Sequence, residues 1–108
     1  MEALKRDLKE RYIETYNACK KFRYFPTAFL KMVVSDTDVV DVTRQLIHKK
    51  GGTSGFTELY LNGKMDLSVE KIILEPKYRI LFTKEDLRAA YERLKEHEYP
   101  GLEELEEP

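Results

Sequence analysis

The segment GFTELYLNGKMDLSVEKIILEPKYRILF, residues 55–82, is the part of the chain richest in apolar side chains, and the remaining segments are organised around it. Asn62-Gly63 divides this segment. The pair either ends a helix through a left-handed glycine or forms the two-residue turn of a hairpin, because both conformations need positive φ. Apolar residues before the pair recur at three- and four-residue steps, which favours a helix, whereas the alternation after it favours a hairpin. We favour the helix, and a hairpin within residues 56–69 stays open as the alternative.

The second half of the segment predicts a short helix that ends before Pro76. A proline pushes the preceding residue out of the α region, so a helix must end there. Helical spacing places Ile72 on an apolar face that we expect other helices to enclose. The charged residues are expected on the opposite, outer face: Glu70, Lys71 and Glu75.

The amino-terminal segment, from Met1 to about Lys21, predicts an amphipathic helix. One stripe of this helix is apolar and includes Leu4, Leu8, Tyr12, Tyr16 and Cys19. A short helix can begin near Pro26, because proline is preorganised for a first helical turn. The aromatic side chains around this proline are expected in the core: Phe22, Phe25 and Phe29.

Capping residues predict the starts of two later helices. Ser35 with Asp38 resembles a capping box, flanked by Val34 and Val39 at the positions of a hydrophobic staple. Gly51 is expected to stop that helix in the left-handed conformation. The same pattern recurs with Thr83 and Asp86 at the start of the last helix, where Phe82 and Leu87 form the staple, and Pro100-Gly101 ends it.

These elements predict an all-α protein, a compact single domain of five or six short helices. We expect the helical domain to cover residues 1–101. Residues 102–108 are expected to form a loose acidic tail, whose deletion should cost little stability. The chain has 108 residues, which suits one domain.

The same segments resemble a known pattern. Three stretches are similar to a motif of small bacterial and phage-encoded hypothetical proteins. They are Gly55-Phe56, the run Gly63-Lys64-Met65-Asp66-Leu67-Ser68-Val69-Glu70, and Leu81-Phe82-Thr83 before an acidic helix start. The upstream run Phe25–Leu30 is also similar to that pattern. At Thr37–Asp41 this chain lacks the glycine-containing turn that the pattern leads us to expect. The resemblance implies a compact, mainly helical, intracellular unit and supplies no catalytic residues.

Composition favours a folded protein of the cytoplasm. Hydrophobic residues make up 42% of the chain and the net charge is −1, so a disordered chain is not expected. The first residues are too charged for a secretory signal, and no apolar run is long enough to cross a membrane. The single cysteine, Cys19, cannot form an internal disulfide, as expected in a reducing compartment.

No catalytic, cofactor or metal site is predicted, and we expect no enzyme. His48 and His97 lie far apart without a ligand at metal-binding spacing. Cys19 is expected to be a buried, inert thiol. The glycine-rich stretch 51–55 lacks the ending of a phosphate loop and is expected to be a connector. We interpret Asp66, Glu70 and Glu75 as a cap and a solvated face.

Charge is distributed unevenly along the chain. Residues 1–34 hold eight basic and four acidic side chains, whereas residues 85–108 hold three basic and nine acidic ones. Opposite poles suit a complementary protein partner or self-association. The candidate binding surface is Lys20, Lys21, Arg23 and Tyr24. We expect a small cytoplasmic interaction module that binds another protein or itself, and a nucleic-acid-binding or regulatory protein is the alternative.

Overall fold

The computed structural model describes residues 1–35 and 37–108, and that part of the chain contains six α-helices and no strand. The helices are α1 (Glu2–Cys19), α2 (Thr27–Val34), α3 (Val39–Ile47), α4 (Ser54–Leu61), α5 (Val69–Ile73) and α6 (Lys84–Glu96). Short 3₁₀ turns cover Lys20–Phe22, Met65–Leu67, Arg79–Leu81 and Leu102–Glu104. The all-α prediction is therefore confirmed.

Asn62-Gly63 ends a helix, as favoured from the sequence, and does not form a hairpin. Gly63 has a φ of +66°. The amide of Gly63 donates to the carbonyl of Tyr60 at 3.1 Å, and the amide of Lys64 donates to that of Leu59 at 2.7 Å. This pair of bonds is a Schellman motif, which satisfies carbonyls that the last turn of α4 would leave without a partner.

Two other helical segments end with the same motif although they lack glycine. Arg23 has a φ of +61° after the turn that extends α1, and Glu98 has a φ of +54° after α6. The following amides, of Tyr24 and Tyr99, bond back to Cys19 and Leu94 at 3.1 and 2.9 Å. A side chain in the left-handed region costs about 1–2 kcal/mol, so both ends carry local strain.

Helix α5 is only five residues long, yet it is deeply enclosed. Ile72 and Ile73 are fully buried, and Leu74 nearly so. The helix lies against α6 and α3, which places it in the main apolar core. The expectation that Ile72 is enclosed is confirmed. Glu70, however, was expected on an outer polar face and is buried, because a helix surrounded on several sides has little outer face.

The capping predictions give mixed results. Thr83 and Asp86 form the predicted capping box, with reciprocal bonds of 3.1 and 3.0 Å, and the staple residues Phe82 and Leu87 are buried. The box predicted at Ser35 is wrong. Asp38 itself caps α3 by accepting from the amide of Val40 at 2.8 Å, while Ser35 donates to a carbonyl of α2.

The predicted staple contact between Val34 and α3 is also wrong, and α3 is shorter than predicted. Val34 is exposed, because it is the last residue of α2 and does not precede the true cap of α3, Asp38. Helix α3 ends at Ile47, four residues before Gly51. Gly51 and Gly52 both have positive φ, so they turn the connector to α4 and do not cap α3.

Residues 102–108 contact the helical part, contrary to the expected loose tail. Leu102 and Leu105 are half-buried against the core. Arg88 on α6 binds Glu107 at 3.0 Å and the carbonyl of Pro108 at 3.2 Å. The apolar side chains on this acidic segment therefore anchor it, and its acidic side chains meet arginine at the surface.

Candidate binding surface and cavity

The basic segment predicted as a binding surface follows the last turn of α1. Lys20, Lys21 and Arg23 are exposed, and Tyr24 is half-buried. Arg23 ends the 3₁₀ turn Lys20–Phe22 with a left-handed backbone, so the three cations lie within or directly after one tight turn. A Cβ added at Gly55 would lie 3.3 Å from Tyr24 Oη, which shows that this tyrosine packs against the first turn of α4.

Aromatic rings and a further cation extend this surface. The rings of Phe22 and Tyr24 stack with their centroids 6.3 Å apart. Lys64, which follows α4, has its Nζ 5.9 Å from the centroid of Phe22. Lys64 was not part of the predicted surface, because it lies forty-one residues beyond Arg23 in the chain and only folding brings the segments together. We call Lys20–Tyr24 with Lys64 the basic aromatic surface.

The aromatic side chains around Pro26 are less buried than expected. Phe29 packs on the core, with its ring 5.6 Å from that of Tyr12. Phe22 is half-buried. Phe25 is 55% exposed, so its predicted core position is wrong. The reason is that Phe25 precedes the first turn of α2, and its side chain does not belong to the apolar face of that helix.

The cations of the basic aromatic surface differ from many other basic residues of the protein. Among the described residues, Lys20, Lys21, Arg23 and Lys64 form no ion pair. Elsewhere, cations join distant elements: Lys5 binds Asp38 at 2.7 Å, and Arg11 binds both carboxylate oxygens of Glu75 at 2.7 and 2.9 Å. The surface charge at Lys20–Tyr24 is thus available to a partner.

A cavity of about 400 Å³ lies beside this surface, between α1, α2, α3, α4 and α5. Its walls are mainly apolar and include Phe29, Leu46, Phe56, Leu59 and Val69. Exposed residues, among them Ala28 and Gln45, mark its opening to solvent. Tyr24 belongs both to the cavity wall and to the basic aromatic surface.

A buried carboxylate, Glu70, forms part of the cavity wall. Glu70 is 2% exposed, and its Oε2 accepts a bond of 2.7 Å from Arg93 Nη1. Arg93 also donates to the carbonyls of Leu46 and Lys49 at the end of α3. Burial raises the pKa of Glu70, and the bond from Arg93 only partly opposes this. The ion pair fixes the carboxylate in a largely apolar wall.

Two further polar groups line the cavity on the α1 side. Thr15 is 6% exposed, and its hydroxyl has no hydrogen-bond partner within residues 1–35 and 37–108. Cys19 is buried, as predicted, and burial raises the pKa of its thiol, so it is a poor nucleophile. Sequence reasoning placed Cys19 on the apolar stripe of α1 and did not single out Thr15.

The histidines and carboxylates do not assemble a metal centre in the part of the chain that the structure describes. No group of three or more His, Cys, Asp or Glu side chains there could hold a metal ion. His48 Nε2 lies 2.7 Å from Asp86 Oδ1, and His97 packs edge-on against the rings of Phe56 and Tyr60. Both histidines thus have structural neighbours on other helices.

The remaining predicted features have structural roles. Thr53 caps α4 by accepting from the amide of Phe56 at 3.0 Å, so the glycine-rich stretch 51–55 connects α3 to α4 and supplies that cap. Asp66 is exposed. Glu75 is half-buried and paired with Arg11 and Lys71. The interpretation of Glu70 as part of a solvated face was wrong, as its burial shows.

Comparison with models of protein families, with curated proteins and with solved structures found no match to this chain. None of the helices in the described residues has both the length and the apolar character needed to cross a membrane.

Proposed function

We propose that this protein is a cytoplasmic interaction module without enzymatic activity, which binds another protein or a second copy of itself. The proposal includes the bacterial or phage origin that the sequence pattern favours. The observation that carries it is the basic aromatic surface. Three cations without an ion-pair partner among the described residues share a segment with two stacked aromatic rings, a fourth, Lys64, lies over one ring, and the exposed Phe25 follows in the chain.

This combination suits a protein partner with an acidic and apolar face. Aromatic and arginine side chains contribute strongly to protein interfaces, because they bury large areas with little loss of conformational freedom. Unpaired cations accelerate association with an acidic surface and select against basic partners. The acidic pole formed by residues 85–108 of a second copy is one face with the required charge.

Nucleic acid is the second candidate, favoured by the same cations and by the exposed aromatic ring of Phe25. Single strands bind to proteins through phosphate contacts and through bases that stack on aromatic rings. Phe22 and Tyr24 already stack on each other, and Lys64 lies over Phe22. These contacts leave fewer ring faces for bases, so we favour the protein partner.

Charge reversal on the surface tests the proposal. We compare the wild-type protein with Lys20→Glu/Lys21→Glu and with Lys50→Glu/Lys84→Glu, a control that changes the same number of exposed lysines outside the basic aromatic surface and outside residues 85–108. Each is used for affinity isolation from the source cell and for sedimentation velocity. We expect the first pair of substitutions to abolish a specific partner or self-association, and the control to retain it.

The same variants separate the two candidates. Fluorescence anisotropy with a random single-stranded DNA, at low and high salt, is expected to detect no surface-dependent binding. Binding that falls steeply with salt and disappears in Lys20→Glu/Lys21→Glu would support the nucleic-acid candidate, because phosphate contacts release counterions. Identical partners and identical sedimentation for all three proteins would contradict the proposed surface.

A further inference from the structure

The cavity between α1 and α5 has the size and wall chemistry of a small-molecule site. Its volume of about 400 Å³ lies within the range of roughly 300–1,000 Å³ that is common for such sites. Apolar and aromatic side chains form most of the wall, and a few polar groups interrupt it. Sites of this kind hold an apolar ligand and use the polar groups to orient it.

Two of the polar groups are almost completely enclosed by protein and still have free hydrogen-bonding capacity. The Thr15 hydroxyl has no partner among the described residues. Glu70 binds Arg93 through Oε2 and its carboxylate also accepts from its own backbone amide, yet each carboxylate oxygen can accept more than one hydrogen bond. Within residues 1–35 and 37–108, no side-chain polar atom that is fully buried lacks a partner. The Thr15 hydroxyl is therefore accessible in part, and the cavity that Thr15 and Glu70 both line provides that access.

The electrostatic surroundings restrict the charge of a ligand. The carboxylate of Glu70 is already paired with Arg93, so neither an anion nor a cation would find a free opposite charge there to offset the loss of its hydration in a largely apolar wall. A cation would in addition be repelled by Lys49 on the cavity wall. A neutral ligand avoids both conflicts. A hydroxyl group fits best, since it can donate to a carboxylate oxygen and can also accept from a threonine hydroxyl.

We infer that the cavity binds a neutral, mainly apolar small molecule that carries a hydroxyl group, which hydrogen-bonds to Thr15 or to the carboxylate of Glu70. This site is independent of the proposed protein-binding surface, although Tyr24 borders both. The apolar part of the ligand packs among Phe29, Phe56 and Leu59. The ion pair with Arg93 keeps Glu70 as an acceptor within the cavity.

Three probes of similar shape test the inference with the full chain: para-ethylphenol, ethylbenzene and para-ethylbenzoate. Binding is followed by the amide NMR shifts of residues on the cavity wall during titration. We expect para-ethylphenol to bind most tightly, para-ethylbenzoate to be excluded, and ethylbenzene to bind roughly tenfold more weakly than the phenol because it lacks the hydrogen bond. Equal affinities of all three probes, or no binding of the phenol at millimolar concentration, would overturn the inference.

Substitutions locate the bound probe. Ala28→Trp places a large ring at the exposed edge of the cavity and is expected to abolish binding, whereas Thr27→Trp, one residue away and outside the wall, is expected to retain it.

Thr15→Val keeps the shape of the side chain and removes the hydroxyl. If Thr15 is the contact, this variant binds the phenol and ethylbenzene equally. If Glu70 is the contact, the preference for the phenol persists and the exclusion of the benzoate is lost in Glu70→Gln. Binding that survives Ala28→Trp unchanged would place the probe elsewhere and refute the site.

Discussion

Arg93 Nη1 lies 2.7 Å from Glu70 Oε2, and this bond ties the carboxylate in the cavity wall to α6. Both side chains are largely buried, Glu70 at 2% and Arg93 at 12% exposure. Arg93 also binds two carbonyls at the end of α3. One guanidinium therefore connects α3, α5 and α6.

Removing only the arginine is expected to destabilise the protein strongly. Arg93→Met leaves a buried carboxylate without its partner, which typically costs about 3–5 kcal/mol of unfolding free energy. Glu70→Leu combined with Arg93→Met removes both charges and is expected to regain most of that loss. Urea unfolding of the two variants measures the difference, and equal losses would show that the pair is not coupled.

The loss in Arg93→Met is also expected to depend on pH. Burial raises the pKa of Glu70 above its ordinary value of 4.5, and without Arg93 it rises further. A group whose pKa is higher in the folded than in the unfolded state stabilises the folded protein at pH values below the unfolded-state pKa. This stabilisation disappears as the pH rises through the folded-state pKa. The unfolding free energy of Arg93→Met should thus approach that of the wild type in acid and become lower than it toward neutral pH. Unfolding curves across this range test the trend.

Truncating Ile72 tests the central position of α5. Ile72→Ala removes fully buried methyl and methylene groups and is expected to cost about 2–5 kcal/mol. Ile80→Ala is the matched control, because Ile80 is 68% exposed and the same atoms are removed. That change is expected to stay within about 0.5 kcal/mol. Similar losses in thermal or urea unfolding at both positions would contradict the described core.

The strained end of α6 offers a stabilising substitution. Glu98 has a φ of +54°, a conformation that glycine adopts without steric cost. Glu98→Gly is expected to raise the unfolding free energy by roughly 0.5–1 kcal/mol, since relief of strain exceeds the added freedom of the unfolded chain. Ala89→Gly, in the interior of α6, should lower it by about 1 kcal/mol. Changes of opposite sign in the unfolding free energies of the two variants, measured by differential scanning calorimetry, confirm the Schellman motif. Changes of the same sign contradict it.

Asp86 gives a second prediction on pH. Burial acts to raise the pKa of Asp86, but hydrogen bonds from His48 and Thr83 outweigh it, and the net result lies below the ordinary value of 3.8. A group whose pKa is lower in the folded state stabilises the folded protein at pH values above the unfolded-state pKa. This stabilisation is lost as the pH falls through the folded-state pKa. Asp86→Asn should therefore cost about 1–2 kcal/mol at neutral pH and progressively less below about pH 4. Parallel pH profiles of the two proteins would contradict the shift.

The docked carboxyl-terminal segment predicts a stability effect of a single leucine. Leu105 is half-buried against the core, so Leu105→Ala is expected to lower the unfolding free energy by about 1–2 kcal/mol. Glu106→Ala, on the exposed neighbour, should have little effect because its contact to Arg79 uses the backbone carbonyl. Urea unfolding compares the two. No loss in Leu105→Ala would mean that the segment is loosely held.

The sequence by itself determined the helical class and the capping box at Thr83, and it favoured the end of α4 at Asn62-Gly63 over a hairpin. These features depend on interactions within a few residues, such as a side chain bonding a nearby amide or a glycine adopting positive φ. The basic residues of Lys20–Tyr24 were also recognisable, because charge and aromatic content are local properties.

Only the tertiary structure decided which polar groups are enclosed. Glu70 is charged and follows Val69, so a single helical period placed it outside, yet α6 covers it and supplies Arg93. One local sign existed: Arg93 stands three residues after Ala90 and directly before Leu94, at the edge of a buried stripe. Thr15, Lys64 and Phe25 carried no such sign. Whether each is enclosed, paired or exposed depends on segments distant in the chain, and one-dimensional periodicity contains no information about which segments those are.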